Sequence, residues 1–205
     1  MPKKPSQKRS KKAAAAPSSR LPAFSLDNLS AEQHALVEAV KSGPRGRFHN
    51  EGPFAVYLRA PGYGKLAQAL GGHLRYHTSL PPRLKEFAIL CTAQHWQAQY
   101  EWHAHAPMAA EAGVKAAAIR DLKGGRPAKS AARDEMAIYA FVRELYAKRR
   151  VSKATYARVQ KIIGDTGMVE LVGILGYYAL VSMTLNVFRM TLPAGSPVPF
   201  REPRI

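Results

Sequence analysis

Residues 98–113 read AQYEWHAHAPMAAEAG, and the spacing within this stretch decides how the chain is read. On a helix, Glu101 and His105 lie four residues apart and share a face. His103 sits two residues from His105, a rotation of about 200°, and points elsewhere. A metal held by both histidines therefore does not fit a helix, and no HxxxH or HExxH spacing supports one. Pro107 removes one intrahelical bond, to the carbonyl of His103, and predicts a kink just beyond the Glu101–His105 turn. Gly113 is a natural stop. A carboxylate beside an imidazole can fix its tautomer and equip it for general acid–base work. The common alternative is an intrahelical Glu–His pair on the surface.

Outward from this stretch, helical signals dominate. Ser30-Ala31-Glu32-Gln33 is a capping box heading an amphipathic run through Val40. The segment 42–53 is a Gly- and Pro-rich loop, and Pro53 opens a short helix through Leu58. Apolar periodicity predicts helices over 64–76, from Pro81-Pro82 onward, and over 115–122, 130–149, 152–163 and 168–188. No alternating strand pattern and no internal repeat is present. The class is all-α, a compact single-domain helical bundle. Within the helix after Pro82, Glu86 is a carboxylate in an otherwise apolar run, and buried carboxylates need partners. Tyr100 and Trp102, with His95 one helix earlier, are expected to line a pocket around the pair.

The 205 residues carry a net charge of +17. Seven of the 31 Lys and Arg residues lie in the first twenty positions, which hold no acid; the remainder keeps 24 bases against 14 acids. Residues 1–20 read as a disordered basic arm, able to touch nucleic acid or an acidic surface but more often only solubilising. Residues 21–192 form the helical domain, and 193–205 a Pro-rich tail. The basic body favours an anionic partner, such as a small organic acid steered by the field. The single Cys91 excludes a CxxC redox or zinc pair and fits a reducing, cytoplasmic compartment. Residues 171–185 form an uncharged run of fifteen, short of the roughly 20 that a membrane span needs. This run is expected to be buried in a core or subunit interface.

The span LPPRLKEFAIL–AQYEWHAHAPMAAEAGV (80–114), the loop GPFAVYLRAPG (52–62) and VELVGILGYYALVSMTLN (169–186) resemble the carboxymuconolactone decarboxylase family, part of the alkylhydroperoxidase D-like superfamily. The resemblance covers nearly everything from Leu21 to Leu192. It implies a homotrimer or homohexamer of all-α subunits. In the superfamily's peroxidase branch a CxxCxxxH motif is followed by a glycine eight residues after its histidine, as Gly113 follows His105. In that register the two cysteine positions are Ala98 and Glu101, so thiol–disulfide peroxide reduction is excluded. A glutamate four before the histidine is decarboxylase-like, whereas Glu86 matches a relay glutamate of the peroxidase branch. The resemblance therefore implies a cofactor-free lyase or isomerase acting on a small lactone acid. His105 is its acid–base group, with Glu101 holding it and Glu86 as a second carboxyl. The rival reading is a catalytically inactive binding or scaffold protein on the same fold; peroxide reduction at Cys91 alone is the weakest of the three.

Overall fold

A computed structural model describes residues 19–203. The basic arm expected over 1–20 therefore lies almost wholly outside the described residues. Among the described residues eight helices follow one another: α1 Ala31–Lys41, α2 Gly52–Tyr57, α3 Pro61–Tyr76, α4 Pro82–His95, α5 Gln99–Glu111, α6 Ala116–Lys123, α7 Arg133–Lys148 and α8 Lys153–Val187. Among the described residues there is no strand.

The helix starts follow local chemistry. At α1, Gln33 N–H donates to Ser30 Oγ at 3.3 Å, and Ser30 N–H donates to the Gln33 side chain at 2.8 Å. α2, α3 and α4 each carry a proline in the first turn, where no N–H is needed. α3 consequently starts at Pro61, three residues before the expected Gly64. α7 starts at Arg133, where the Glu135 side chain accepts from Ala132 N–H at 2.7 Å. The two helices expected over 152–163 and 168–188 both form and meet at a non-helical break at Gly164, across which α8 runs on. There φ is 68°, a left-handed value that favours glycine.

α4 lies at the centre, packed against α5, α6, α7 and α8. Every residue from Leu84 to Ala93 is buried, including Lys85, Glu86 and Thr92. α8 covers it with Leu171, Ile174, Leu175, Tyr178, Val181 and Leu185. The opposite face of α8 leaves Val169, Val172, Met183 and Val187 exposed. By length and composition α8 could cross a membrane, and half of its most apolar window is buried within the fold. A smaller cluster joins α1, α2 and α3 through Leu36, Val40, Tyr57, Leu58 and Ala67.

The segment read as a tail is packed onto the domain. Phe200 is buried against Trp102, with ring centroids 5.2 Å apart. The Gln99 side chain clasps the Phe200 backbone, donating to its carbonyl at 2.7 Å and accepting from its N–H at 2.9 Å. Residues 190–203 thus form a strap running back from the end of α8 to the start of α5.

Arg83 ties α4 to α7. Its guanidinium donates to both Asp134 carboxylate oxygens, at 3.2 and 2.5 Å, and to Glu135 at 2.6 Å. Glu135 is only 1% exposed, so its charge depends on this partner. Arg83→Met should cost about 3–5 kcal/mol, the penalty for stranding a buried charge. Thermal unfolding should show a melting temperature lower by roughly 6–20 °C. An unchanged melting temperature would reject Arg83 as the counterion that Glu135 needs.

Candidate active site

α4 and α5 bring three buried titratable side chains together. Glu86 comes from the centre of α4, and Glu101 and His105 from successive turns of α5; their exposures are 7%, 4% and 3%. His105 Nδ1 lies 2.7 Å from Glu86 Oε2, and His105 Nε2 lies 3.5 Å from Glu101 Oε2. The short contact lets Nδ1 and Glu86 share one proton, with the donor set by the imidazole tautomer. Nε2 is then turned toward Glu101. The Tyr178 ring stands edge-on to the imidazole, with centroids 5.0 Å apart, and closes the site from α8.

Glu101 is the unbalanced member. Its Oε2 is fully buried and makes no hydrogen bond, because the 3.5 Å approach to Nε2 is an ion-pair distance without hydrogen-bond geometry. Burial pushes the Glu101 carboxyl above its ordinary range, against the opposing pull of His105 and Arg75. Such a group holds its proton longer than a solvated carboxyl and can pass it to Nε2 or to a bound molecule. The Tyr178 hydroxyl, pushed far up by burial, stays neutral.

Above the trio lies a cavity of about 450 Å³. Arg45 and Arg47 from the loop after α1, and Arg75 from the end of α3, line it together with Tyr100, Tyr177 and Tyr178. Among the described residues none of these arginines forms an ion pair. Aromatic faces hold two of them instead: Arg45 lies 5.2 Å from the Phe54 centroid and 5.9 Å from that of Tyr76, and Arg75 lies 5.4 Å from Tyr76. Three unpaired guanidiniums around one cavity set up a field that attracts an anion.

The expected pocket residues divide. Tyr100 lines the cavity and is seated on Gly52, where φ is 54° and a Cβ would fall 2.5 Å from the tyrosine ring. His95 does not reach the cavity. It is stacked on Tyr146 at 4.5 Å, near the far end of α4. Trp102 faces the opposite side of α5 and is packed under Phe200. His103, which helical geometry turns away from His105, nevertheless lines the cavity, because the space wraps around the first turns of α5. Arg45, Arg47, Arg75 and Tyr178 carry no local motif; the basic excess of the body is their only trace in the sequence. Among the described residues no group of three His, Cys, Asp or Glu side chains is arranged to hold a metal ion. Cys91 is buried in the core, and its thiol is pushed up by that burial.

An all-α domain with this helix order, carrying a buried carboxylate–imidazole cluster across two central helices, has the alkylhydroperoxidase D-like fold. Residues 61–143, less than half of the chain, match the Carboxymuconolactone decarboxylase family. Two solved structures are similar. One, described as an alkylhydroperoxidase AhpD core and an uncharacterized peroxidase-related protein from Ralstonia eutropha JMP134, is 18% identical with a TM-score of 0.71; the match covers 88% of this chain and 95% of that one. The other, an uncharacterized peroxidase-related protein from Silicibacter sp. TM1040, is 13% identical with a TM-score of 0.69, covering 86% and 92%. At these identities the likeness defines the fold. No curated protein matches the sequence.

The raised carboxyl of Glu101 has a stability signature. A carboxyl raised in the folded state contributes stability below its unfolded pKa, and this is lost as pH climbs through the folded value. Glu101→Gln, permanently neutral, should therefore gain stability relative to the parent chain between pH 4 and pH 8. Parallel melting profiles for the two proteins across that range would show that Glu101 is not held protonated by the fold.

Proposed function

We propose that the protein is a cofactor-free carboxy-lyase or isomerase that uses His105, Glu101 and Glu86 on a small lactone acid. The observation that carries this reading is the His105 imidazole set between two buried carboxylates beneath three unpaired arginines. In a decarboxylation the bond between the substrate carbon and its carboxylate breaks and CO2 leaves. The electron pair stays on the substrate as an enolate, stabilised by the guanidiniums. The proton that completes the product comes from the Glu101–His105 pair, with Glu86 holding Nδ1 and so the imidazole's orientation. In isomerisation the same pair removes and returns a proton.

The match of residues 61–143 to the Carboxymuconolactone decarboxylase family supports the acid–base reading. The peroxidase-related names of the two similar structures suggest peroxide as a second substrate. The only cysteine, buried and with a raised thiol pKa, speaks against that chemistry. A scaffold role leaves the three arginines and the unpaired Glu101 oxygen without a purpose. Assembly as a homotrimer or homohexamer belongs to the same proposal, supported by the exposed apolar face of α8, and sedimentation velocity would read the number of copies. A cytoplasmic location is part of it as well, testable by fractionation of cells expressing the full chain.

The test is turnover of a panel of small lactone carboxylic acids, read as CO2 release or as isomerised product. His105→Gln should lower the rate by about 100-fold or more while leaving helical content intact. Undiminished turnover in that variant would remove His105 from the chemistry. Complete absence of turnover in the parent chain would favour the scaffold reading.

A further inference from the structure

The strap and the end of α8 border a second cavity, partly open to solvent, of about 400 Å³. Leu185, Met190, Leu192 and Val198 line it, together with the indole of Trp96. Trp96 Nε1 is buried and has no hydrogen-bond partner. Arg189 and Glu202 contribute polar groups to the same lining. The acid–base chemistry at His105 makes no use of this space. Apolar surface left in such a cleft gains free energy when an apolar group covers it.

The two cavities adjoin. Tyr100 and Pro193 line both of them. Tyr100 is fixed by its seat on Gly52, whereas Pro193 belongs to the exposed part of the strap. The partition between a cationic space and an apolar one is therefore anchored on one side and surface-borne on the other.

We infer that the ligand of this protein is an amphipathic organic acid that occupies both cavities. Its carboxylate lies on Arg45 and Arg75 beside Glu101 and His105, and its apolar chain passes Tyr100 and Pro193 into the strap cavity. This rests on the reading that the arginine-lined cavity receives the acid substrate, and it adds to that acid an apolar chain that the second cavity covers. Neither cavity alone matches such a molecule. The first supplies charge and the second apolar surface, and the shared wall sets the order in which the ligand must present them.

The test is a binding series on the full chain with butanoate, hexanoate, octanoate and decanoate, and with octanol, followed by calorimetry and by the fluorescence of Trp96. Affinity should rise about three- to fourfold for each methylene that enters the strap cavity. Octanol should bind at least tenfold more weakly than octanoate. Ala194→Trp or Ser196→Phe, which fill the strap cavity from its surface wall, should erase the advantage of octanoate over butanoate while leaving butanoate binding unchanged. Arg45→Gln with Arg75→Gln should weaken every acid in the series. A flat series, a length advantage that survives both filled variants, or acid binding indifferent to the two arginine substitutions would each overturn the inference. The last result would move the carboxylate to Arg189. Repeating the series in His105→Gln separates the two proposals. A correct length dependence without His105-dependent turnover rejects the chemistry alone, and a flat series beside His105-dependent turnover rejects the elongated ligand alone.

Discussion

The hydrogen bond between Glu86 and His105 joins the two central helices at a point where neither partner has solvent to fall back on. A buried carboxylate or imidazole left alone is costly, so each fixes the position of the other. The register of α5 on α4 follows from that pairing, and so does the height at which Glu101 stands one turn earlier. Tyr178 from α8 then seals the imidazole from a third direction. The rest of the site is arranged around this contact rather than adding to it.

Charge is distributed unevenly about that point. Beneath the cavity two carboxylates flank one imidazole, and three guanidiniums line it without an ion pair, Arg45 against Phe54 and Tyr76 and Arg75 against Tyr76 and the Met108 sulfur. Arg75 and Arg45 both act to hold down the Glu101 carboxyl, but burial outweighs them. The result is a proton donor close to a field that favours negative charge. That combination suits a reaction in which an anion arrives, develops further charge, and must be protonated before leaving.

The helical class and the Glu101–His105 turn were legible in the sequence because both depend on spacing along one element. Glu86 was legible for a different reason: a carboxylate inside an apolar run must be partnered, and the structure supplies His105. Nearness in sequence misled at His95 and Trp102. His95 is nine residues after Glu86, about 14 Å along the helix axis, and stacks on Tyr146. Trp102 is one residue from Glu101 and so about 100° around α5, against Phe200. The arginines were invisible because their convergence is tertiary. A Gly-rich loop, the last turn of α3 and the middle of α5 meet only once α1 to α3 have folded onto α8. The strap was invisible because its composition is that of a tail, while its anchoring depends on one phenylalanine and one glutamine a hundred residues apart.

That strap has a consequence for the order in which the molecule is completed. The acid–base trio lies near the middle of the chain, but Tyr178, Pro193 and Phe200 come from its final thirty residues. Chains emerge from synthesis N-terminus first, and contacts between distant segments form after local ones. The helices through α7 can therefore gather around α4 while the site is still open on the side that α8 will cover. The strap, made after the trio and after α8, is the segment that separates the cationic space from the apolar one. Completion of the site thus waits for the strap, and a protein shortened before Phe200 would keep Glu86, Glu101 and His105 while losing the clasp that holds the strap against Gln99.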